Sequence, residues 1–193
     1  ECPSSQAYWV VDPLDGTTNF AAGIPYWAIS IARFVNGEPS EAFLDIPSLR
    51  QRIVAIRGQG AWRNQKRLTP ESRVAAGSSC VSLCSRSIRV LQKRPDHSFP
   101  GKIRLLGVAS LNLVSVAMGQ TAGALEATPK IWDLAAAWLV LIELGCPLIW
   151  LGPHPAHLEP GCDLSEMGFP VVAAGSQKQL ERLAPWGESL LKG

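Results

Sequence analysis

The sequence predicts an α+β fold built as layers of sheet and helix, on three observations. Its first third reads as an antiparallel meander of short alternating strands joined by tight turns. Its second half holds two segments whose apolar residues recur at helical spacing. Single short strands lie between and after those helices, so the order is not the strict alternation of a parallel βαβ protein. With 193 residues, 47% apolar and 18% charged, the chain can bury one sizeable core, and disordered, collagen-like and mucin-like classes are excluded.

Taken in order, residues 8–11 read as a buried strand that ends at Asp12-Pro13, because the residue before a proline avoids the helical region. Asp15-Gly16 makes a tight turn, and Thr17-Thr18-Asn19 supplies helix-start chemistry. Residues 28–34 alternate as a strand, and Asn36-Gly37 is a hairpin turn into a second strand at 42–44. Residues 53–56 and 60–62 continue the meander. Residues 108–118 are helical with Gly119 as the stop, 124–126 form a strand, and 133–144 form a helix with Asp133 as its N-cap. A strand at 171–174 precedes a last helix capped by Ser176. The expected organisation is one partial domain over 1–193, with a turn-and-meander part at 1–104 and a C-terminal α/β part at 105–193.

Charge is unevenly spread. Residues 1–49 carry one base against six acids, whereas 50–104 carry thirteen bases against two. The bases alternate with apolar residues, as in Arg50-Gln51-Arg52-Ile53, which reads as a solvated strand face more than a nucleic-acid surface. Five cysteines without a CxxC pair fit a reducing, cytoplasmic setting. Cys80 and Cys84 lack the third Cys or His of a zinc site, and His154 and His157 read as solvated loop residues. The apolar run 134–151 contains Glu143 and Gly145-Cys146-Pro147, so it reads as a buried helix followed by a strand, not a membrane span. The polar lead before residue 8 begins without Met and reads as the interior of a longer protein.

The chemistry is concentrated in Asp12-Pro13-Leu14-Asp15-Gly16-Thr17-Thr18-Asn19-Phe20. Two carboxylates three residues apart sit on a turn that Pro13 stiffens and Gly16 frees, so both can aim at one spot. Like charges a few Å apart repel unless a cation lies between them, and hard oxygen donors suit Mg²⁺. The amides of Gly16, Thr17 and Thr18 open a helix and can receive a phosphate. A second cluster, Trp132-Asp133-Leu134-Ala135-Ala136, sets an acid at a helix start followed by small residues that permit close approach.

These two strings match the DPxDGTxNF and WDxAA signatures, and the chain resembles the inositol monophosphatase family of Mg²⁺-dependent, lithium-sensitive phosphatases. Gly58-Gln59-Gly60-Ala61-Trp62-Arg63-Asn64 and the stretch 106–126 extend the likeness over nearly the whole chain. The resemblance implies a layered α/β sandwich of the inositol monophosphatase and sugar phosphatase type, without the family's N-terminal helical part. It implies that Asp12, the Leu14 carbonyl, Asp15 and Asp133 hold two or three Mg²⁺, and that Thr17, with Asp12 and Asp15, carries the catalysis by orienting the attacking water. Gly16 and Thr17 would hold the phosphate. Gly107, Val108, Ala109, Glu126 and Asp133 would line the substrate, a small phosphorylated polyol or sugar, and a homodimer is implied. A further carboxylate ligand falls upstream in the family, where only Glu1 stands here, and Val108 replaces the usual Ser or Thr.

Three functions compete: a phosphomonoesterase, a bisphosphatase or histidinol-phosphate type of the same chemistry, and a non-catalytic module using the basic face on RNA or protein. The first leads, because binding alone has no need of both aspartate clusters. It requires the Asp133 carboxylate within about 8 Å of Asp12 and Asp15 if they are to share ions.

Overall fold

The computed structural model describes residues 7–72, 77–157 and 161–191. Six strands, β1 (Ala7–Asp15), β2 (Ala28–Val35), β3 (Glu38–Ile46), β4 (Gln51–Ile56), β5 (Gly60–Arg63) and β6 (Lys66–Leu68), form an antiparallel sheet in chain order. The β2–β3 turn has φ of 52° at Asn36 and 81° at Gly37, the two left-handed residues a tight hairpin needs to match strand twist. A second sheet contains β7 (Cys80–Leu83), β8 (Lys102–Arg104), β9 (Gly123–Glu126), β10 (Leu148–Trp150) and β11 (Val171–Ala174), in the order β10-β11-β9-β7-β8. β7 runs parallel to β8 and β9, while β11 is antiparallel to both of its neighbours.

The described helices include α1 (Thr17–Ala21), α2 (Arg89–Lys93), α3 (Ala109–Ala117), α4 (Ile131–Glu143) and α5 (Gln177–Leu191). α3 and α4 pack on each other between the sheets. Ala135, Ala136 and Ala137 are fully or almost fully buried there, and their small side chains let α4 lie close to Ala28, Ala32, Leu44 and Ala55 of the meander. Alternation along β11 splits the core: Val171 and Ala173 join the α3/α4 layer, whereas Val172 and Ala174 join Leu180 and Leu183 of α5. The result is sheet, helix pair, sheet, helix, the α+β layering the sequence predicts.

Several expectations change. β1 is not buried on both faces: Val10 is 9% exposed but Trp9 is 61% and Val11 49%. Nor does it end at Asp12-Pro13. It runs on to Asp15 through an irregularity in the β1–β2 register, and as an edge strand it tolerates a proline with no N–H to give. The meander stops at Leu68, and 80–83 and 102–104 belong to the second sheet, so the sheets divide well before residue 104. Those strands are four and three residues long, too short to show a period of two. His154 is not a solvated loop residue. It lies edge-on to Trp138 and Trp150, at 5.7 and 5.5 Å between ring centres, while its Nδ1 accepts the Ala156 N–H. The His157 side chain lies outside the described residues.

The apolar run 134–151 resolves into most of α4, a left-handed Gly145 with φ of 62°, and β10. Among the described residues no helix is long and apolar enough to cross a membrane. Glu143, the one charge in that run, clamps the end of α4 to the β4–β5 turn by accepting the Gly58 and Gly60 N–H groups, each at 2.8 Å.

Candidate metal centre

Three elements far apart in sequence bring one carboxylate each to a single point. At the end of β1, Asp12 Oδ1 accepts the Leu14 N–H at 2.9 Å, folding the chain around Pro13 so that Asp15 returns to the same side. Asp15 Oδ2 accepts the Ser110 N–H at 2.8 Å from the first turn of α3, where an unpaired amide favours an anion. Asp133 sits in the first turn of α4 but is not its N-cap. That position is Lys130, whose N–H donates to Asp133 Oδ2 at 2.7 Å, as in a capping box. Ligand oxygens of Asp12, Asp15 and Asp133 all lie within 4.8 Å of one another, well inside the separation that sharing ions requires.

The cluster is electrostatically unfinished. Asp12 is 9% and Asp15 8% exposed. Burial pushes the Asp15 carboxyl up to about 6 against the lowering effect of the Ser110 hydrogen bonds, with the Asp12 charge adding to the rise. Burial likewise raises Asp133 to about 7, opposed by the Lys130 N–H and reinforced by Asp15 and Asp12. The ion pairs among the described residues, Arg33–Glu41, Arg52–Asp45 and Arg57–Glu38, leave these acids without a basic partner. Close, partly desolvated oxygen donors without a protein cation are the donor set that a divalent metal neutralises, so the residues present fit such an ion.

Beside the acids, Gly16 serves as the N-cap of α1 with φ of 91°. A Cβ there would lie 2.8 Å from Val108 Cγ2 and 3.3 Å from Trp27 Cβ. Gly16→Ala therefore meets both a left-handed backbone and a filled site, and is expected to cost about 1–3 kcal/mol. Thermal unfolding should show a fall of about 2–4 °C per kcal/mol at this chain length; an unchanged Tm would remove the argument for this packing.

Other expected site residues are placed as follows. Thr17 is exposed at the first position of α1. Gly107 is exposed and Ala109 half-buried, at the start of α3. Val108 is 1% exposed, and its Cγ2 packs against Gly16 where a Cβ on that residue would stand. Glu126 is 2% exposed, and its Oε1 accepts from Asn112 Nδ2 at 2.8 Å. Burial raises the Glu126 carboxyl to about 8 against that hydrogen bond, and Asp15 and Asp133 act on it electrostatically. Leu14 is half-buried between the two turn aspartates, and Glu1 lies outside the described residues.

Two contributors, Ser110 and Asn112, escape the sequence reading, and Asn19 plays another part than the helix start assigned to it. Asn19 Nδ2 donates to the Tyr26 and Leu106 carbonyls at 2.9 and 2.8 Å, tying the loop before Gly107 to α1. Ser110 holds Asp15, and Asn112 holds Glu126. The available signal was polarity out of place: Ser110, Asn112 and Ser115 interrupt a helix that is apolar elsewhere, and the first two are wholly buried.

The inositol monophosphatase family model matches residues 1–184. The chain is 36% identical over 144 residues to an inositol-1-monophosphatase of Rhizobium meliloti, covering 71% of this chain and 54% of that protein. It is 35% identical over 144 residues to a Nus factor SuhB of Xylella fastidiosa, covering 71% of this chain and 52% of the relative. The chain thus spans little more than half the length of these relatives. Among solved structures, extragenic suppressor protein suhB from Bartonella henselae superposes with a TM-score of 0.73 at 30% identity, covering 98% of this chain and 74% of that one. With the signatures, the layered fold and the gathered aspartates in agreement with these matches, the chain belongs to the inositol monophosphatase family.

Proposed function

We propose that the protein is a Mg²⁺-dependent phosphomonoesterase that hydrolyses a small polyol or sugar phosphate to the free alcohol and inorganic phosphate. The observation that carries this reading is the convergence of Asp12, Asp15 and Asp133 within 4.8 Å, next to the opening turn of α1. In this reading the three carboxylates and the Leu14 carbonyl hold two or three Mg²⁺. The ions supply Lewis acidity toward an attacking water and charge compensation for the departing alkoxide. The amides of Gly16 and Thr17 seat the phosphate, and the Thr17 hydroxyl orients the water for in-line attack. Gly107 and Ala109 present backbone to the alcohol half of the ester. Glu126, whose carboxyl burial raises to about 8 in the metal-free protein, would bind a hydroxyl of that half.

The test is phosphate release from inositol 1-phosphate with Mg²⁺, with EDTA and with added Li⁺. Release that needs Mg²⁺ and is inhibited by Li⁺ supports the proposal, and release in EDTA at the same rate overturns it. A second reading, a non-catalytic module, draws on the relative named Nus factor SuhB and on the exposed Arg50, Arg52, Lys66 and Arg67 at one edge of the meander. Salt-sensitive RNA binding without any Mg²⁺-dependent hydrolysis would favour it.

A further inference from the structure

One turn of α3 fixes Glu126 relative to the aspartate cluster. The Ser110 N–H holds Asp15 Oδ2 at 2.8 Å, and two residues on, about 3 Å along the helix axis, Asn112 Nδ2 donates to Glu126 Oε1 at 2.8 Å. Asp15 and Asp133 both act electrostatically on the Glu126 carboxyl across that gap.

Asn112 is 0% exposed, and its Oδ1 has no partner among the described residues. A buried carbonyl without a bond carries a desolvation cost that a leucine of similar size would avoid. The side-chain bond that Asn112 does make among the described residues goes to Glu126. An amide suits this position, because its NH₂ end donates to an ionised carboxylate and, after a flip, its carbonyl end accepts from a protonated one.

A second side chain reaches the same carboxyl from β7. The parallel register sets Ser82 beside Ala124 and Leu83 beside Leu125, and the Cys84 N–H donates to the Leu125 carbonyl at 3.2 Å, so Cys84 follows beside Glu126. Leu83 and Leu125 belong to the α5 layer, so by alternation Cys84 and Glu126 turn toward α3. The Cys84 side chain hydrogen-bonds the Glu126 carboxyl. Its sulfur is itself fixed, accepting the Ser87 and Ala127 N–H groups at 3.3 Å each and lying 2.9 Å from Ser87 Oγ. Ser87 is wholly buried and its hydroxyl donates to the Leu125 carbonyl at 2.9 Å, which ties the sulfur to the end of β9. A glutamate has several free torsions, and two partners on different elements restrict its carboxyl to one orientation.

We propose that Asn112 and Cys84 are positioning residues that hold the Glu126 carboxyl in the orientation that receives a hydroxyl of the ester's alcohol half, and so set the preference for hydroxylated esters. This role rests on the phosphatase reading of the same site. Both residues act only through Glu126.

The test sets inositol 1-phosphate against cyclohexyl phosphate, which has the same ring without its hydroxyls. Steady-state rates in Mg²⁺ give KM for the first and an inhibition constant for the second, with the full chain and its Asn112→Leu, Cys84→Ala and Cys84→Ser variants. Selectivity is the inhibition constant divided by KM. In Asn112→Leu it should fall about 10-fold, the scale of one charge-assisted hydrogen bond, with the loss appearing in KM more than in kcat. Cys84→Ala should lower it about threefold, and Cys84→Ser, which keeps a donor and an acceptor there, should restore it. A purely structural role would move both esters together and leave the selectivity unchanged in every variant, a result that overturns the assignment and leaves the phosphatase reading standing. If Asn112→Leu does not fold, the Cys84 variants decide: loss in Ala with recovery in Ser supports the role, and unchanged selectivity overturns it. If the wild type does not hydrolyse inositol 1-phosphate, the phosphatase reading fails, and calorimetric titration of the two esters in Mg²⁺ decides the role. A preference for inositol 1-phosphate that the variants lose retains it, and no preference removes it.

Discussion

Asp15→Asn is expected to lower Mg²⁺-dependent phosphate release by about 10³-fold or more, the scale seen when one member of a catalytic unit is removed. The same substitution should leave the metal-free protein at least as stable at pH 7 as the wild type. The two effects separate a functional carboxylate from a structural one. Asp15 is 8% exposed and meets the charges of Asp12 and Asp133 with no basic partner, so it holds its charge at a cost that only a cation offsets. An asparagine is nearly isosteric, can still accept the Ser110 N–H, and removes the repulsion. Steady-state rates and urea unfolding in EDTA check both halves. An Asn variant that keeps more than about a tenth of the activity would exclude Asp15 from the chemistry. One that loses activity and also unfolds early would make it a folding residue.

In EDTA, stability is expected to decline as pH rises from about 4 to 8, and Mg²⁺ to restore it. The sign follows from the direction of the shifts. In the unfolded chain the carboxyls ionise near their ordinary values, whereas in the fold Asp15 ionises at about 6, Asp133 at about 7 and Glu126 at about 8. Between those limits the native state holds protons that the unfolded state has released. Stability is therefore fully present below the unfolded values and is lost as pH climbs through the folded ones. For Asp15 alone, a rise of about two units corresponds to roughly 3 kcal/mol. A cation that binds only the folded state adds about 2.7 kcal/mol at one hundred times its dissociation constant. Urea midpoints at pH 5, 6.5 and 8 should fall in EDTA and flatten in Mg²⁺. A midpoint that rises with pH in EDTA would mean that the three acids are not forced together.

Local chemistry made some of this legible in the sequence. Asn36-Gly37 can hardly be anything but a tight hairpin, and residues 171–174 are a strand in the structure as in the reading. The helix at 108–118 shortens only to Ala109–Ala117, because Val108 takes the cap position and Gly119 ends the run. Where the reading strayed, a long-range contact overrode a local rule. Asp12-Pro13 would end an isolated strand, but β1 is the edge of a sheet and carries the proline through to Asp15. The strands at 80–83 and 102–104 have too few residues for a pattern and exist because β9 and one another supply their hydrogen bonds. Val108 reads as a substrate contact by its position in the string, and its side chain is buried against Gly16, which lacks the Cβ that would collide with it.

By itself, the sequence determined the layered class and the two aspartate strings, because turn, cap and donor chemistry depend on neighbours within a few residues. Only the tertiary structure decided that Asp133 reaches Asp12 and Asp15, and that Ser110 and Asn112 hold the acids in place. Those distances depend on how closely α3 and α4 pack between two sheets. That packing is the summed outcome of many weak contacts between residues distant in the chain, which no short window of sequence contains.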